Sequence, residues 1–385
     1  MTTINLPTPS GGVESFSFRS PAPLRTVSTP PRSRRAFAAA HVVADPLRAA
    51  QPIRSEHIDW EATMGIRRRL WGLGLGVAES MDTAQRGMGL SAADAMVLAQ
   101  RTLAEDPRGG AGVVVGIATD ALPDAVAAPG AIADAYIRQL ETVETGGGTA
   151  VIMASRHLVR TATSAKDYLD VYGRVLAAAS RPVILHWLGE VFDPALRGYW
   201  GSTHIAEALG TVIELITSNP GKVTGIKISL LDARWELELR DRLPADVALF
   251  TGDDYNYVDM IAGDGVRHSH ALLGAFAAVA PHASAALAHL DAGDEAGFRS
   301  VLEPTQRLSR LVFEPPTPFY KVGVVWLAYL SGLQEHFRML GGMESGRDLL
   351  HLAQVVREAG TLGLFTDPDA AAARANAFFA VHGIG

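Results

Sequence analysis

The sequence contains no cysteine among its 385 residues. Disulfide bonds, thiolate metal sites and cysteine nucleophiles are therefore excluded. Lysine is almost as scarce, since Lys166, Lys222, Lys227 and Lys321 are the only lysines among 34 basic residues. No apolar run approaches the roughly 20 residues that span a membrane. The first residues, MTTINLPTPSGG, have neither the basic start nor the apolar stretch of a signal peptide. We therefore expect a cytoplasmic protein without membrane contact.

A positive charge surplus is also missing, because the formal net charge is -7. A modestly acidic chain argues against nucleic acid as the main partner. Apolar residues make up 48% of the sequence, which is enough for a large core. The length is ordinary for an α/β barrel that carries extensions.

Short apolar runs alternate with longer amphipathic stretches along most of the chain. Buried parallel strands read as continuous apolar runs, and each needs a crossover helix before the next. Eight such runs predict a (β/α)8 TIM barrel of the α/β class rather than an open sheet. The predicted strands are Ala36–Val43, Leu73–Ala78, Ala111–Ile117, Thr149–Ala154, Pro182–His186, Val223–Ile228, Val247–Phe250 and Val266–His270.

The two ends of the chain differ from this alternating pattern. Residues 1–34 are rich in Pro, Ser and Thr and predict an extended arm or a β-hairpin. The barrel is expected over residues 35–271, and residues 272–385 predict a helical region packed on it. Its helices are expected at Ala271–Ala280, Ser284–Leu290, Glu295–Val312, Val322–Leu340 and Leu349–Ala359. The segment FEPPTP at 313–318 must be irregular, because prolines disrupt a helix interior.

Lys227 is the most informative residue, because it stands among apolar neighbours at the end of the predicted sixth strand, VTGIKIS. Function in a barrel lies at the carboxyl ends of the strands. Burial there lowers the pKa of a lysine, and a neutral amine can attack a carbonyl to form an imine. The alternative is a structural lysine that pairs with a buried carboxylate.

Other polar residues follow the ends of neighbouring predicted strands. His186 closes PVILHW on the fifth strand, where an imidazole could transfer protons or could simply be a hydrogen-bonded core residue. Substrate contacts are predicted for Asp82, Thr83, Gly252, Asp253, Asp254 and His268. Helix caps and tight turns would also explain several of these residue types.

These segments resemble the dihydrodipicolinate synthase and N-acetylneuraminate lyase superfamily over about residues 36 to 340. VTGIKIS is similar to the family's G-[IV]-K-[DE]-S segment, which implies that Lys227 is the Schiff-base lysine. LFTGDDYNYVDMIAGDGVRHS and FEPPTPFYKVGV are similar to two further family segments. The resemblance implies a divergent branch of class I aldolases and a homodimer or homotetramer.

The chain departs from the family at the predicted fifth strand. Where the family has a tyrosine in a Y-N-x-P motif, this sequence has His186 followed by Trp187, Leu188 and Gly189. An insertion, VFDPALRGYWGSTH, then separates this strand from Lys227, and it could carry Glu190 or Tyr199 into the site. Pyruvate is therefore not assured as the substrate.

The leading hypothesis is a lyase, aldolase or dehydratase that acts on a small keto acid or keto sugar through an imine on Lys227. It requires no cofactor and no metal. The alternative is a metal-dependent isomerase or class II aldolase that uses strand-end ligands. These would be drawn from His41, Glu79, Asp82, His186, Asp254, His268 and His270. A non-enzymatic alternative is a barrel that binds its ligand without turnover.

Overall fold

The computed structural model describes residues 2–48 and 57–384. Two strands, β1 (Thr3–Pro7) and β2 (Val13–Ser17), form an antiparallel hairpin. Eight parallel strands close into a barrel in chain order, with the last strand beside the first. They are β3 (Ala36–Ala39), β4 (Gly76–Glu79), β5 (Val113–Ile117), β6 (Thr149–Ile152), β7 (Val183–Leu188), β8 (Val223–Ser229), β9 (Ala248–Thr251) and β10 (His270–Leu273).

Fifteen helices of the described chain surround and extend the barrel. Those between strands are α1 (Trp60–Gly72), α2 (Ala92–Glu105), α3 (Pro129–Thr145), α4 (Arg156–Thr161), α5 (Ala165–Ala178), α6 (Ile205–Ser218), α7 (Ala233–Arg242) and α8 (Tyr257–Ala262). Those after the last strand are α9 (Ala275–Ala278), α10 (Ala280–Asp291), α11 (Glu295–Leu302), α12 (Thr305–Val312), α13 (Tyr320–Leu330), α14 (Leu349–Leu362) and α15 (Pro368–Val381). No helix of the described residues has the length and apolar character that crossing a membrane requires.

The barrel interior is packed with side chains, as the predicted TIM barrel requires. A cluster that includes Val114, Val151, Ile184 and Leu272 fills it, together with the ring of Phe250. A Cβ at Gly225 would lie 2.7 Å from that ring, so this glycine provides the space that the ring occupies.

The eighth strand lies later in the chain than the sequence predicted. The apolar run at Val266–His270 is a loop, and β10 begins at His270 and ends at Leu273. The alanine-rich segment that follows was expected to be helical from Ala271, but its first residues pair with β3 and β9 instead. Closing the barrel outweighs the helix propensity of alanine and leucine here.

The expected hairpin and the expected helical region are both present, with different helix boundaries. Pro304 divides the predicted helix Glu295–Val312 into α11 and α12, because proline lacks the amide hydrogen that a helix interior needs. The helix predicted to end at Leu340 ends at Leu330, and α15 was not predicted. The hairpin packs against α14 and α15, where Phe18 contacts Phe365 at 5.5 Å between ring centroids.

Candidate active site

Lys227 lies in the second half of β8, near the carboxyl end of the barrel. Its register partners are His186 on β7 and Phe250 on β9, so these three side chains share the inner face. Only 8% of Lys227 is exposed. Burial lowers the pKa of its amine, and the charges of Asp254 and Asp82 oppose that effect only in part. The amine is thus closer to its neutral, nucleophilic form than an exposed lysine.

A small cavity surrounds the lysine at this end of the barrel. Its volume, taken as the space that the centre of a water molecule can reach, is about 10 Å³. This is room for roughly one water molecule. Phe192 and Tyr320 lie 6.0 Å apart between ring centroids and form part of its wall. The residues that line the cavity are Ala39, Met81, Asp82, Thr83, Leu188, Phe192, Lys227, Ser229, Asp254, Gly274 and Tyr320.

Two glycines keep space for the polar side chains of this cavity. A Cβ at Gly252 would lie 2.2 Å from Oγ of Ser229 and 2.7 Å from Cε of Lys227. A Cβ at Gly274 would lie 3.2 Å from the Tyr320 ring. Gly252 was predicted as a substrate contact, and the structure gives it a different part, since it does not line the cavity but makes room for the lysine.

Two carboxylates line the cavity and face the lysine. Asp254 is buried, and one of its oxygens accepts a hydrogen bond of 2.9 Å from the backbone N–H of Ala275. Burial raises the pKa of Asp254 to about 7, although the Lys227 charge acts in the opposite direction. Asp82 follows β4 in a 3₁₀ turn over Asp82–Ala84. The cavity thus contains an amine and a carboxyl group that both exchange protons more readily near neutral pH than usual.

Two other carboxylates near strand ends do not line the cavity. Asp253 accepts hydrogen bonds from the backbone N–H groups of Tyr255 and Asn256, and it was predicted as a substrate contact. Its side chain stabilises the turn that leads into α8. Glu79 forms a buried, bidentate ion pair with Arg67 on α1, at 2.9 and 3.0 Å. Both carboxylates therefore have structural partners outside the cavity.

Tyr320 is a polar cavity residue that the sequence alone did not single out. It begins α13, and its hydroxyl lies 2.8 Å from Oγ1 of Thr83, which was predicted to contact substrate. Its ring stacks on Phe313 at 4.3 Å. Burial, followed by the nearby Asp82 charge, raises the pKa of Tyr320 well above its usual value, so the phenol keeps its proton. The segment FEPPTPFYKVGV contained the only signal, since it was recognised as a motif but not as a source of a cavity residue.

His186 is fully buried beside Lys227 and does not line the cavity. Its Nε2 lies 3.3 Å from Oγ of Ser229, and Ser229 does line the cavity. Burial and the neighbouring Lys227 charge lower the pKa of His186 well below 6.5. The imidazole is therefore neutral at physiological pH, which does not fit the proton-transfer role and neutral titration expected from the sequence.

The insertion after β7 covers this end of the barrel. Phe192 contacts Phe313 and Tyr320. Tyr199 is held away from the cavity by two hydrogen bonds of its hydroxyl group. One joins it to the hydroxyl of Tyr172 at 2.9 Å, and in the other it accepts from the backbone N–H of Ser155. Glu190 is exposed and lies 3.8 Å from Arg197. The side chain that this segment contributes to the cavity is therefore the aromatic ring of Phe192, and not the acid–base group of Glu190 or Tyr199.

His268 lies at the opposite end of the barrel from Lys227, because β10 begins only at His270. The structure therefore does not bring His268 to the cavity of Lys227, where substrate contact was expected, and the displaced eighth strand is the reason. The ligand set considered for a metal-dependent enzyme is dispersed in the same way. His268 and His270 are at the amino end, Glu79 is paired with Arg67, and no group of three or more potential ligands gathers within the described residues.

Strained backbone is concentrated in the loops that follow the strands. The four non-glycine residues with positive φ in the described chain are Ser80, Gln85, Trp200 and Leu231. They follow β4, β7 and β8, all at the end of the barrel that contains Lys227. Each such conformation costs on the order of 1–3 kcal/mol and tends to cluster at functional sites. This distribution agrees with the position of the cavity.

The sequence model of a family described as "Protein of unknown function (DUF993)" matches residues 4–384. The chain belongs to the DUF993 family. No curated protein matches the sequence of this DUF993 member. The family assignment therefore names a group of related sequences and does not by itself supply an activity.

Solved structures similar to this DUF993 protein include dihydrodipicolinate synthases and their relatives. YagE of Escherichia coli K12, a prophage protein of the dihydrodipicolinic acid synthase family in complex with pyruvate, gives a TM-score of 0.65 at 16% identity. The match covers 86% of this chain and 99% of that one. The dihydrodipicolinate synthase of Oceanobacillus iheyensis gives 0.59 at 16% identity, covering 84% and 96%.

A third similar structure is the dihydrodipicolinate synthase of Acinetobacter baumannii, complexed with pyruvate. Its TM-score is 0.60 at 14% identity, with 85% of this chain and 99% of that chain covered. At such identities the similarity establishes the fold. The resemblance inferred from VTGIKIS and the neighbouring motifs is thus confirmed as a dihydrodipicolinate synthase-like TIM barrel.

Proposed function

We propose that this protein is a class I lyase, an aldolase or dehydratase, in which Lys227 forms an imine with a small keto acid or keto sugar. The observation that carries the proposal is a buried lysine that faces two carboxylates in a small cavity at the carboxyl end of the barrel. A dihydrodipicolinate synthase-like fold supports it at a coarser level, since the fold is that of class I aldolases.

Imine formation starts when Nζ of Lys227 attacks the carbonyl carbon of the substrate. The nitrogen loses two protons and the carbonyl oxygen leaves as water, so the products are an imine and one water molecule. In an aldolase reaction the protonated imine accepts the electron pair of the breaking carbon–carbon bond, and the enamine then takes up a proton at carbon. In a dehydratase reaction a base removes the α-proton, the imine accepts the electron pair of that C–H bond, and the enamine expels the β-hydroxyl group, which leaves as water after taking up a proton. In both cases water then hydrolyses the imine, which releases the product and restores the amine.

Asp254 is the best candidate to move protons during these steps. With its pKa raised to about 7, it is partly protonated at neutral pH and can act as acid or base. The hydroxyl groups of Tyr320 and Thr83 are paired with each other, and this pair can donate a hydrogen bond to a substrate oxygen. His186 is assigned a positioning role, since it contacts the cavity only through Ser229.

The experiment is reduction with sodium borohydride in the presence of a panel of keto acids and keto sugars. Pyruvate comes first, because two of the similar structures are complexes with it. We expect a substrate-dependent mass increase on the peptide that contains Lys227, and no such increase in Lys227→Arg, since arginine cannot form the imine.

Two lysines serve as matched controls. Lys321 is also buried, and burial lowers the pKa of its amine to about 8. Lys222 lies just before β8 and donates to the carbonyl of Ala179 at 2.8 Å. Lys321→Arg and Lys222→Arg should still be trapped at Lys227. An adduct on Lys321, or none with any carbonyl in the panel, would contradict the proposal.

A ligand-binding barrel without turnover is the remaining alternative. It predicts a saturable complex without release of cleaved or dehydrated product. The expected homodimer or homotetramer is part of the proposal too, and size-exclusion chromatography with light scattering measures it.

A further inference from the structure

A second pocket opens at the amino end of the barrel, opposite Lys227. The space open to the centre of a water molecule is about 460 Å³, which falls in the range of roughly 300–1,000 Å³ typical of small-molecule sites. Arg35 precedes β3, His270 begins β10, and residues 243–247 connect α7 to β9. We call this space the N-terminal pocket.

Basic side chains predominate in the N-terminal pocket. Arg35, Arg240 and Arg267 contribute to its wall together with His268 and His270, whereas Asp246 is the acidic residue that lines it. Apolar residues such as Leu243, Pro244 and Leu249 make up much of the remaining wall. The pocket therefore combines an excess of positive charge with an apolar surface.

Arg240 is the most deeply buried of these basic residues, with 4% of its surface exposed. Its Nη2 donates to Oδ2 of Asp264 at 2.9 Å. Its Nε and Nη1 are buried and have no hydrogen-bond partner in the part of the chain that the structure describes. Buried donors are normally satisfied, so the two N–H groups indicate a missing acceptor.

Glu236, one helical turn before Arg240 on α7, does not provide that acceptor. Glu236 accepts hydrogen bonds from Thr251 at 2.8 Å and from Ser269 at 2.7 Å. Burial raises the pKa of Glu236 to about 8, so it carries little negative charge at neutral pH. The positive charge of Arg240 is therefore offset by Asp264, and an anion in the pocket would offset it further.

The other basic groups crowd the same space. The Arg35 guanidinium lies 4.9 Å from the centroid of the Phe250 ring, and the rings of His268 and His270 are 5.3 Å apart. Burial and neighbouring arginines lower the pKa of His268 to about 4 and that of His270 to about 3. Both histidines are therefore neutral at physiological pH, and the positive charge of the pocket comes from its arginines, which an anion would offset.

We propose that the N-terminal pocket is a second ligand site, which binds a small organic oxyanion: a carboxylate or phosphate monoester on a short apolar body. The oxygens would pair with the guanidinium groups of Arg35 and Arg267 at the pocket wall and, after a shift of the Arg240 side chain, with its unpaired N–H groups, since guanidinium groups match such oxygens in geometry and charge. The apolar body would pack on Leu243, Pro244 and Leu249.

Isothermal titration calorimetry of the full chain with three probes tests the site. Phenyl phosphate and benzoate carry the two kinds of anion on the same ring, and inorganic phosphate carries no apolar body. We expect saturable binding of one ring-bearing probe, and the preferred probe identifies the anion. Inorganic phosphate that binds as tightly as phenyl phosphate would overturn the organic character of the ligand.

Substitutions locate the binding. Arg240→Met and Arg35→Gln should each weaken binding by at least about tenfold, as expected for loss of a charge-assisted contact. Arg35 is exposed, so its variant remains informative if Arg240→Met unfolds. Arg234→Gln is the matched control, because Arg234 is also on α7 but its side chain is 70% exposed. It should bind within about twofold of the unmodified protein.

Lys227→Arg separates this pocket from the catalytic cavity. The variant should bind the preferred probe unchanged, and pyruvate should not compete with that probe. Absence of saturable binding by all three probes, binding that survives both pocket substitutions, or binding lost in Lys227→Arg would each overturn the proposal. None of these results depends on whether Lys227 forms an imine.

Discussion

The hydroxyl groups of Thr83 and Tyr320 lie 2.8 Å apart, although 237 positions separate the two residues in the sequence. Thr83 follows β4, whereas Tyr320 begins α13 in the helical region after the barrel. The helical region is therefore part of the candidate active site, because one of its side chains forms part of the cavity wall. The two residues also define the first prediction.

Tyr320→Phe should lower kcat by roughly 10²–10³-fold, the usual cost of removing one hydrogen-bond donor to the charge that develops on a substrate oxygen. Borohydride trapping at Lys227 should persist, since it requires only the amine and a carbonyl. Steady-state kinetics and trapping with the same substrate measure the two effects. Tyr329→Phe is the control, because Tyr329 is also on α13 and its hydroxyl donates to Arg374 outside the cavity. A Tyr320→Phe enzyme with normal kcat would refute the role of this phenol.

Asp254 should make stability depend on pH. Its pKa is raised from 3.8 to about 7 in the folded protein. The native state thus favours the protonated carboxyl group, and this contribution is complete below about pH 4 and is lost as pH rises through 7. Asp254→Asn imitates the protonated form, so its free energy of unfolding relative to the unmodified protein should increase over that interval. We expect a gain on the order of 1–4 kcal/mol.

Urea denaturation at pH 4, 6 and 8 measures this difference. Asp264→Asn provides a comparison of opposite sign, since backbone N–H groups of Arg267 and Val266 lower the pKa of the exposed Asp264. A difference between Asp254→Asn and the unmodified protein that stays constant with pH would show that Asp254 is ionised like an exposed aspartate.

His186→Gln should leave the pH–rate profile unchanged between about pH 6 and 8. The pKa of His186 lies well below 6.5, because the ring is buried beside Lys227, so it does not titrate in that interval. We expect a reduction in kcat of less than about tenfold, as for a residue that orients Ser229. If the pH–rate profile of the unmodified enzyme has a limb near neutral pH and the variant lacks it, His186 transfers protons as the sequence suggested.

Phe192→Ala should open the cavity. The ring packs against Phe313 and Tyr320 at the cavity wall, and the enclosed space is otherwise about 10 Å³. We expect faster trapping at Lys227 and acceptance of larger keto sugars, measured as the rate of adduct formation across a size series. Val191→Ala controls for changes in the insertion, since Val191 is an exposed neighbour. Unchanged rates for the whole series would show that substrate enters elsewhere.

The sequence predicted the barrel because its strands are short apolar runs, and β4 to β9 were found close to their expected positions. It misplaced β10, since Val266–His270 satisfied the same pattern and the alanines after His270 favoured a helix. Pairing with β3 and β9 decides that segment, and such pairing between distant parts of the chain cannot be read from local composition.

The candidate site could be predicted only where it depends on strand ends. Lys227, Asp82, Thr83 and Asp254 line one cavity, as strand-end positions suggested. Tyr320 could not be placed, because its position depends on how the later helices pack on the barrel. The environment of His186 was equally out of reach, since burial beside a lysine changes its titration and no sequence pattern reports burial of that degree.

The hairpin at the start of the described chain packs on the helices at its end, and this arrangement has a consequence during synthesis. Ile4 and Leu6 are buried against a core that includes residues of α14 and α15. At roughly 5–20 residues per second, a ribosome needs on the order of 20–70 s to produce those helices after the hairpin emerges. Throughout that interval the apolar face of the hairpin lacks the helices that bury it in the folded protein, so this face is completed only when the last part of the described chain has been made.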